Sequence, residues 1–179
     1  MYDSSRHETL IQRDWNDNRA REAIERIVQD THSRFDHENL WPVHPLDQPH
    51  AERPFRMLYF GAAGVVWALD YLHRVGATAI KHDFAAALSG MAANNRNDLN
   101  LSESQARSYL MGDVGIDLVQ WRIDPSIDIA ERIYRAVELN LDNPAREFMW
   151  GSPGTMLTAL FMHELTGEDL WKELYIRNA

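Results

Sequence analysis

Three Gly-x-x-Gly units punctuate the chain, Gly61-Ala62-Ala63-Gly64, Gly112-Asp113-Val114-Gly115 and Gly151-Ser152-Pro153-Gly154, and each stands directly before an apolar run. The first glycines are 51 and then 39 residues apart, which marks a repeated supersecondary unit. Glycine at a helix start adopts angles that other residues avoid and lets a neighbouring backbone or a ligand come close. Pro153 suits a first helical turn, where its missing N–H costs nothing. If each unit opens an inner helix and outer helices return the chain, the inner helices run parallel with their N-termini at one end. Converging dipoles and unpaired N–H groups would favour anionic groups there.

The helical pattern is of two kinds. Ala20, Ala23, Ile24, Ile27, Val28 and Thr31 fall at three- and four-residue spacings among charged residues, which predicts an amphipathic helix. Phe84, Ala87, Leu88, Met91 and Ala92 predict a second, and Ala130, Ile133, Tyr134, Val137 and Leu141 a third. By contrast, Val65 to Leu72 and Met156 to Met162 lack a polar face over most of their length and are expected to be buried nearly all round; Val114 to Trp121 is a weaker copy. Amphipathic and apolar helices therefore alternate, as in a ring of inner helices wrapped by outer ones. Met57 to Phe60 is rich in strand formers but lacks a partner at hairpin distance, so the fold class is all-α. Residues 36–54 carry Pro42, Pro45, Pro49 and Pro54 and are read as a proline-rich surface loop in one domain spanning 1–179.

Hydrophobic residues make up 45% of the 179, enough to fill one core. The formal net charge is −9 with acids spread along the chain, which serves solubility and makes nucleic acid a poor partner. No uninterrupted apolar run reaches about eighteen residues and the start has no secretory pattern, so the expectation is a cytoplasmic protein with no membrane insertion. The absence of cysteine excludes disulfides, a Cys nucleophile and thiolate-bound metal within the chain.

Other chemistry-bearing residues have plain structural explanations. Among the 8 histidines, His32, His37, His44 and His50 do not form the His-x-x-x-His spacing, and His163-Glu164 lacks a second histidine. Ser152 does not stand in a nucleophile elbow and is expected to cap its helix. Asp70, inside an apolar run, needs a partner such as Arg74. Trp67 and Trp121 are expected in core packing, whereas Trp150, just before a glycine pair, stands where a ligand at the mouth would touch it.

Residues 58–77 and especially 146–171, with Trp-Gly-Ser-Pro-Gly-Thr, resemble the glycine-motif repeats of the lanthionine-synthetase-C-like (LanC-like) family, and LWPVHPLD at 40–47 is similar to that family's opening region. The resemblance implies a double-layered α/α toroid, here an incomplete barrel with about three inner helices, its active site at the end where the glycine motifs meet. It also implies zinc-dependent addition of thiols to dehydroamino acids, or a glutathione-linked role, with a peptide or small thiol as partner. The family's zinc is held by two cysteines and a histidine of later repeats, so none of this chain's residues is expected to bind metal and the cofactor is absent from it. An acidic residue four positions before the first glycine of the third motif assists proton transfer in the cyclases; Glu147 has that place relative to Gly151, with a solvated helix-end role as the alternative. From their place at the barrel mouth, Trp150 and Gly151 are the expected ligand contacts. The chain alone is expected to be inactive and, with an open barrel edge, to self-associate. A carbohydrate-processing α/α barrel and a noncatalytic helical-repeat binding module are the competing readings.

Overall fold

The computed structural model describes residues 11–44 and 53–179; Pro45, Pro49 and His50 lie outside the described residues. Among the described residues there are nine helices and one isolated bridge, Asp36 to Leu40, with no strand. None of these helices is long and apolar enough to cross a membrane.

Helix α1 (Asp17–Ser33) starts where the Asn16 side chain accepts from the Arg19 N–H at 2.9 Å, and it buries Val28 and His32. Its predicted apolar face is narrower than the spacing implied, because Ile27 is 65% exposed. Helix α2 (Ala62–Arg74) follows the first glycine pair. The predicted second amphipathic helix is broken into α3 (Ala85–Ser89) and α4 (Met91–Asp98) at Gly90, and a short α5 (Glu103–Ala106) has a Ser102–Gln105 capping box. Helices α6 (Asp113–Ile123) and α8 (Ser152–Thr166) follow the second and third glycine pairs. Ser126 caps α7 (Ile127–Glu138), which stops before Leu141, and α8 ends at Gly167 in the left-handed region before α9 (Asp169–Asn178).

Helices α2, α6 and α8 pack side by side in sequence order, with α3, α4 and α7 laid against α6 and α9 against α8. Two apolar clusters result. Val28, Leu40, Ala63, Val66, Leu88, Met91, Ile116 and Val119 form one; Val114, Leu118, Ile129, Ile133, Val137, Ala159, Met162, Trp171 and Leu174 form the other. Helix α6 contributes to both and so joins them. Leu40, from the stretch read as a surface loop, is 2% exposed, and Trp41 donates its indole N–H to the Thr31 carbonyl.

Two expectations are corrected. Helix α2 is not buried all round: Trp67 and Tyr71 are 45% and 49% exposed and stack on each other, because no inner helix covers that flank. Ser152 does not cap α8; Gly151 is the cap residue and Ser152 is buried as the first helical residue. Asp70 does pair with Arg74 at 2.8 Å, and also with Arg122 of α6 at 2.6 Å.

His32 packs against His82 and Phe84 at the foot of α1. Burial lowers its pKa below the ordinary imidazole value, His82 and Lys81 add to the effect, and the Ala79 backbone opposes it. With the folded value below the unfolded one, stability from neutral His32 is present above about pH 6.5 and is lost as pH falls from there through the folded value. Urea midpoints should therefore drop between about pH 7.5 and pH 5.5, and His32→Phe should shrink that drop. Equal slopes in the two proteins would show that His32 does not carry it.

Candidate functional site

The three glycine turns share one close contact. The second glycine of each pair, Gly64, Gly115 or Gly154, lies so close to the carbonyl oxygen six residues earlier (Leu58, Tyr109 or Phe148) that an added Cβ would overlap it. At the first glycines an added Cβ would overlap Met57 and Arg56 backbone at Gly61, Ala106, Gln105 and Ser108 at Gly112, and Ala145 and Glu147 at Gly151. The space opened at Gly151 by the missing side chain is thus taken by backbone.

These turns also touch one another. The Tyr59 N–H donates to the Leu110 carbonyl at 3.1 Å, Leu58 side-chain atoms lie 2.9 and 3.0 Å from where a Gly115 Cβ would stand, and Tyr109 lies 3.2 Å from that of Gly154. The Tyr109 and Phe148 rings meet edge to face at 6.0 Å. Farther along, Asp70 and Arg122 tie the C-terminal halves of α2 and α6 together. Adjacent starts and adjacent ends make α2 and α6 parallel, and the turn before α8 lies beside the turn before α6.

Aligning the turns reveals a longer repeat, Arg-x-apolar-apolar-apolar-Gly-x-x-Gly, at 56–64, 107–115 and 146–154. Arg56 pairs at 2.9 Å with Asp98, the last residue of α4, and Arg107 reaches Glu103 at 3.3 Å and the Leu139 carbonyl at the end of α7. An arginine thus fastens each of the first two turns to the C-terminal end of the next outer helix, where the dipole favours a cation. Arg146 occupies the third position and has no such partner among the described residues. Sequence reading missed this because single arginines in a charged chain look like solvated surface.

Glu147 is exposed, and its two carboxylate oxygens accept from the Met149 and Trp150 N–H groups, both at 2.7 Å. Asn143 donates to the Trp150 carbonyl, and the Trp150 side chain borders a small recess of about 260 Å³ with Ser104, Gln105, Asn143 and Ala145. Glu147, Trp150 and Gly151 thus share one turn, and none of them borders the apolar groove beside α2, α6 and α8. The N-terminus of α2 is not the open anion site expected either, since the Ala62 and Ala63 N–H groups donate to the Phe55 and Arg56 carbonyls.

That groove is apolar, of about 900 Å³, bordered by Tyr59, Phe60, Trp67, Tyr71, Leu118 and Phe161, with Arg122 and Glu164 as its charged groups among the described residues. It runs from the first glycine turn to the far ends of α6 and α8. Elsewhere, buried acids on α6 face arginines of outer helices: Asp113 meets Arg96 at 2.7 Å and Asp117 meets Arg132 at 2.8 Å. Burial raises both carboxyl pKa values, while Arg96 and Arg132 pull them back. No group of three or more His, Asp or Glu among the described residues is placed to hold a metal ion. No family model, curated protein or solved structure matches the chain.

The turn geometry makes a sharp contrast among glycines. Gly151→Ala should cost about 3 kcal/mol or prevent folding, because backbone cannot yield as a side chain can. Gly90→Ala, with helical angles and only the Asn94 side chain nearby at 3.6 Å, should stabilise by about 0.5 to 1 kcal/mol. Urea unfolding of both variants checks this, and a tolerated Gly151→Ala would contradict the turn as described.

Proposed function

We propose that the chain is a three-turn wall of a LanC-like α/α toroid and that it holds the apolar part of a peptide substrate in its groove. The observation supporting this is the same close approach at the second glycine of three neighbouring turns, each opening one of the helices α2, α6 and α8 that pack side by side along one concave apolar surface. In this reading the family's thiol addition, or glutathione-linked chemistry, belongs to the whole toroid, and this wall contributes binding. The chain contains no cysteine, so its residues do not fit the family's zinc, which needs two. Glu147 takes the family's acidic position, where it would exchange a proton only by releasing the N–H groups of Met149 and Trp150.

A carbohydrate-processing role fits the groove less well. Glycoside hydrolysis generally uses two carboxyl groups across the scissile bond, whereas Glu164 is the one carboxylate among the described residues that borders this groove.

Fluorescence anisotropy with a labelled peptide of about ten residues carrying Leu and Phe between serines tests the proposal. The Trp67→Ala/Tyr71→Ala variant should bind at least about tenfold more weakly, a loss of about 1.4 kcal/mol, while Glu147→Gln binds as the parent does. Equal binding by the aromatic variant, or preference for a glycan over the peptide, would overturn it.

A further inference from the structure

The repeat leaves half a contact unused at each end of the inner row. Within the chain, the side chain three positions before one first glycine covers the second glycine of the next turn: Leu58 covers Gly115 and Tyr109 covers Gly154. By the same rule Phe148 is a covering side chain with no further glycine turn to cover among the described residues, and it is 40% exposed. Gly64 is the converse, since only backbone of its own turn lies near its Cβ position.

Burial along the helices agrees. Gly115 and Gly154 are buried and Gly64 is half-buried. Four residues on, Val119 and Thr158 are 2% and 0% exposed, but the equivalent Ala68 is exposed. Residues four apart share a helix face, so Gly64 and Ala68 mark an uncovered strip of α2 that corresponds to the covered strips of α6 and α8.

We propose that this strip of one copy receives Phe148 of a second copy, joining chains head to tail by the contact that already joins α2 to α6 and α6 to α8. A second copy is the fitting occupant because the chain carries both halves of the contact. The interface is heterologous, so it propagates until a ring closes or a filament grows. It rests on the repeat geometry and not on peptide binding, yet Gly64 and Ala68 border the groove although Phe148 does not, so a second copy and a peptide would compete: Phe148→Asp should keep the parent's peptide affinity at about 5 μM chain, where copies are apart, and bind peptide more strongly than the parent at about 500 μM.

Size-exclusion chromatography with light scattering, from about 5 to about 500 μM chain, reads the outcome. The parent mass should rise with concentration, whereas Phe148→Asp and Ala68→Glu should each stay monomeric with unchanged helical circular dichroism. Each variant retains one intact half, so mixing them should give a one-to-one dimer that grows no further. A parent monomeric throughout, a Phe148→Asp or Ala68→Glu protein that associates alone, or folded variants that fail to pair would each overturn the proposal; Phe148→Ser and Ala68→Lys replace any variant that does not fold.

Discussion

Much of the molecule depends on the absence of one atom at six positions. Where each glycine pair stands, a carbonyl from the preceding turn occupies the place of a Cβ, and the chain enters its inner helix pressed against its own backbone. The entry direction is then fixed by close contact rather than by a side-chain cap, and α2, α6 and α8 all lack a capping side chain. Three copies of one entry direction, with each turn resting on the next, make a row. That row exposes a common surface between its members, and the groove follows from it.

Electrostatics refine this arrangement. Asp113 and Asp117 leave water at the centre of the row, and burial disfavours their charged forms. The arginines of α4 and α7 offset that cost from outside, where Arg96 and Arg132 are half exposed. Ion pairs of this kind add little net stability over apolar packing, but a misplaced outer helix would strand a buried carboxylate. They therefore discriminate among ways of stacking outer helices that hydrophobic contact alone would permit. Asp70 does the same between inner helices, since both Arg74 and Arg122 converge on it.

What the sequence disclosed and what it hid follow from the range of the forces. Helix type, the glycine entries, Pro153 in a first turn and the Asp70–Arg74 pair are local, and the residues announce them. The exposure of Trp67 is not local: Leu118, at the same place in α6, is 8% exposed, and α2 differs because it stands at the end of the row. Ser152 misled because serine before a helix is a good cap in isolation, yet here the preceding glycine holds the cap position and tight packing buries the hydroxyl. The arginines at 56 and 107 were discoverable by aligning the turns, but their meaning needed the ends of α4 and α7 brought beside them.

The separation of the third turn from the groove bears on how any chemistry would be divided. Glu147 and Trp150 are engaged in fixing a turn, one through its carboxylate and the other through its backbone N–H and carbonyl. The groove, in contrast, offers aromatic and aliphatic surface with few polar groups, a composition that binds by excluding water and discriminates weakly by hydrogen bonding. If the proposed peptide binding holds, a molecule seated along the groove reaches Glu147 only by being extended, because that carboxylate lies outside the groove lining.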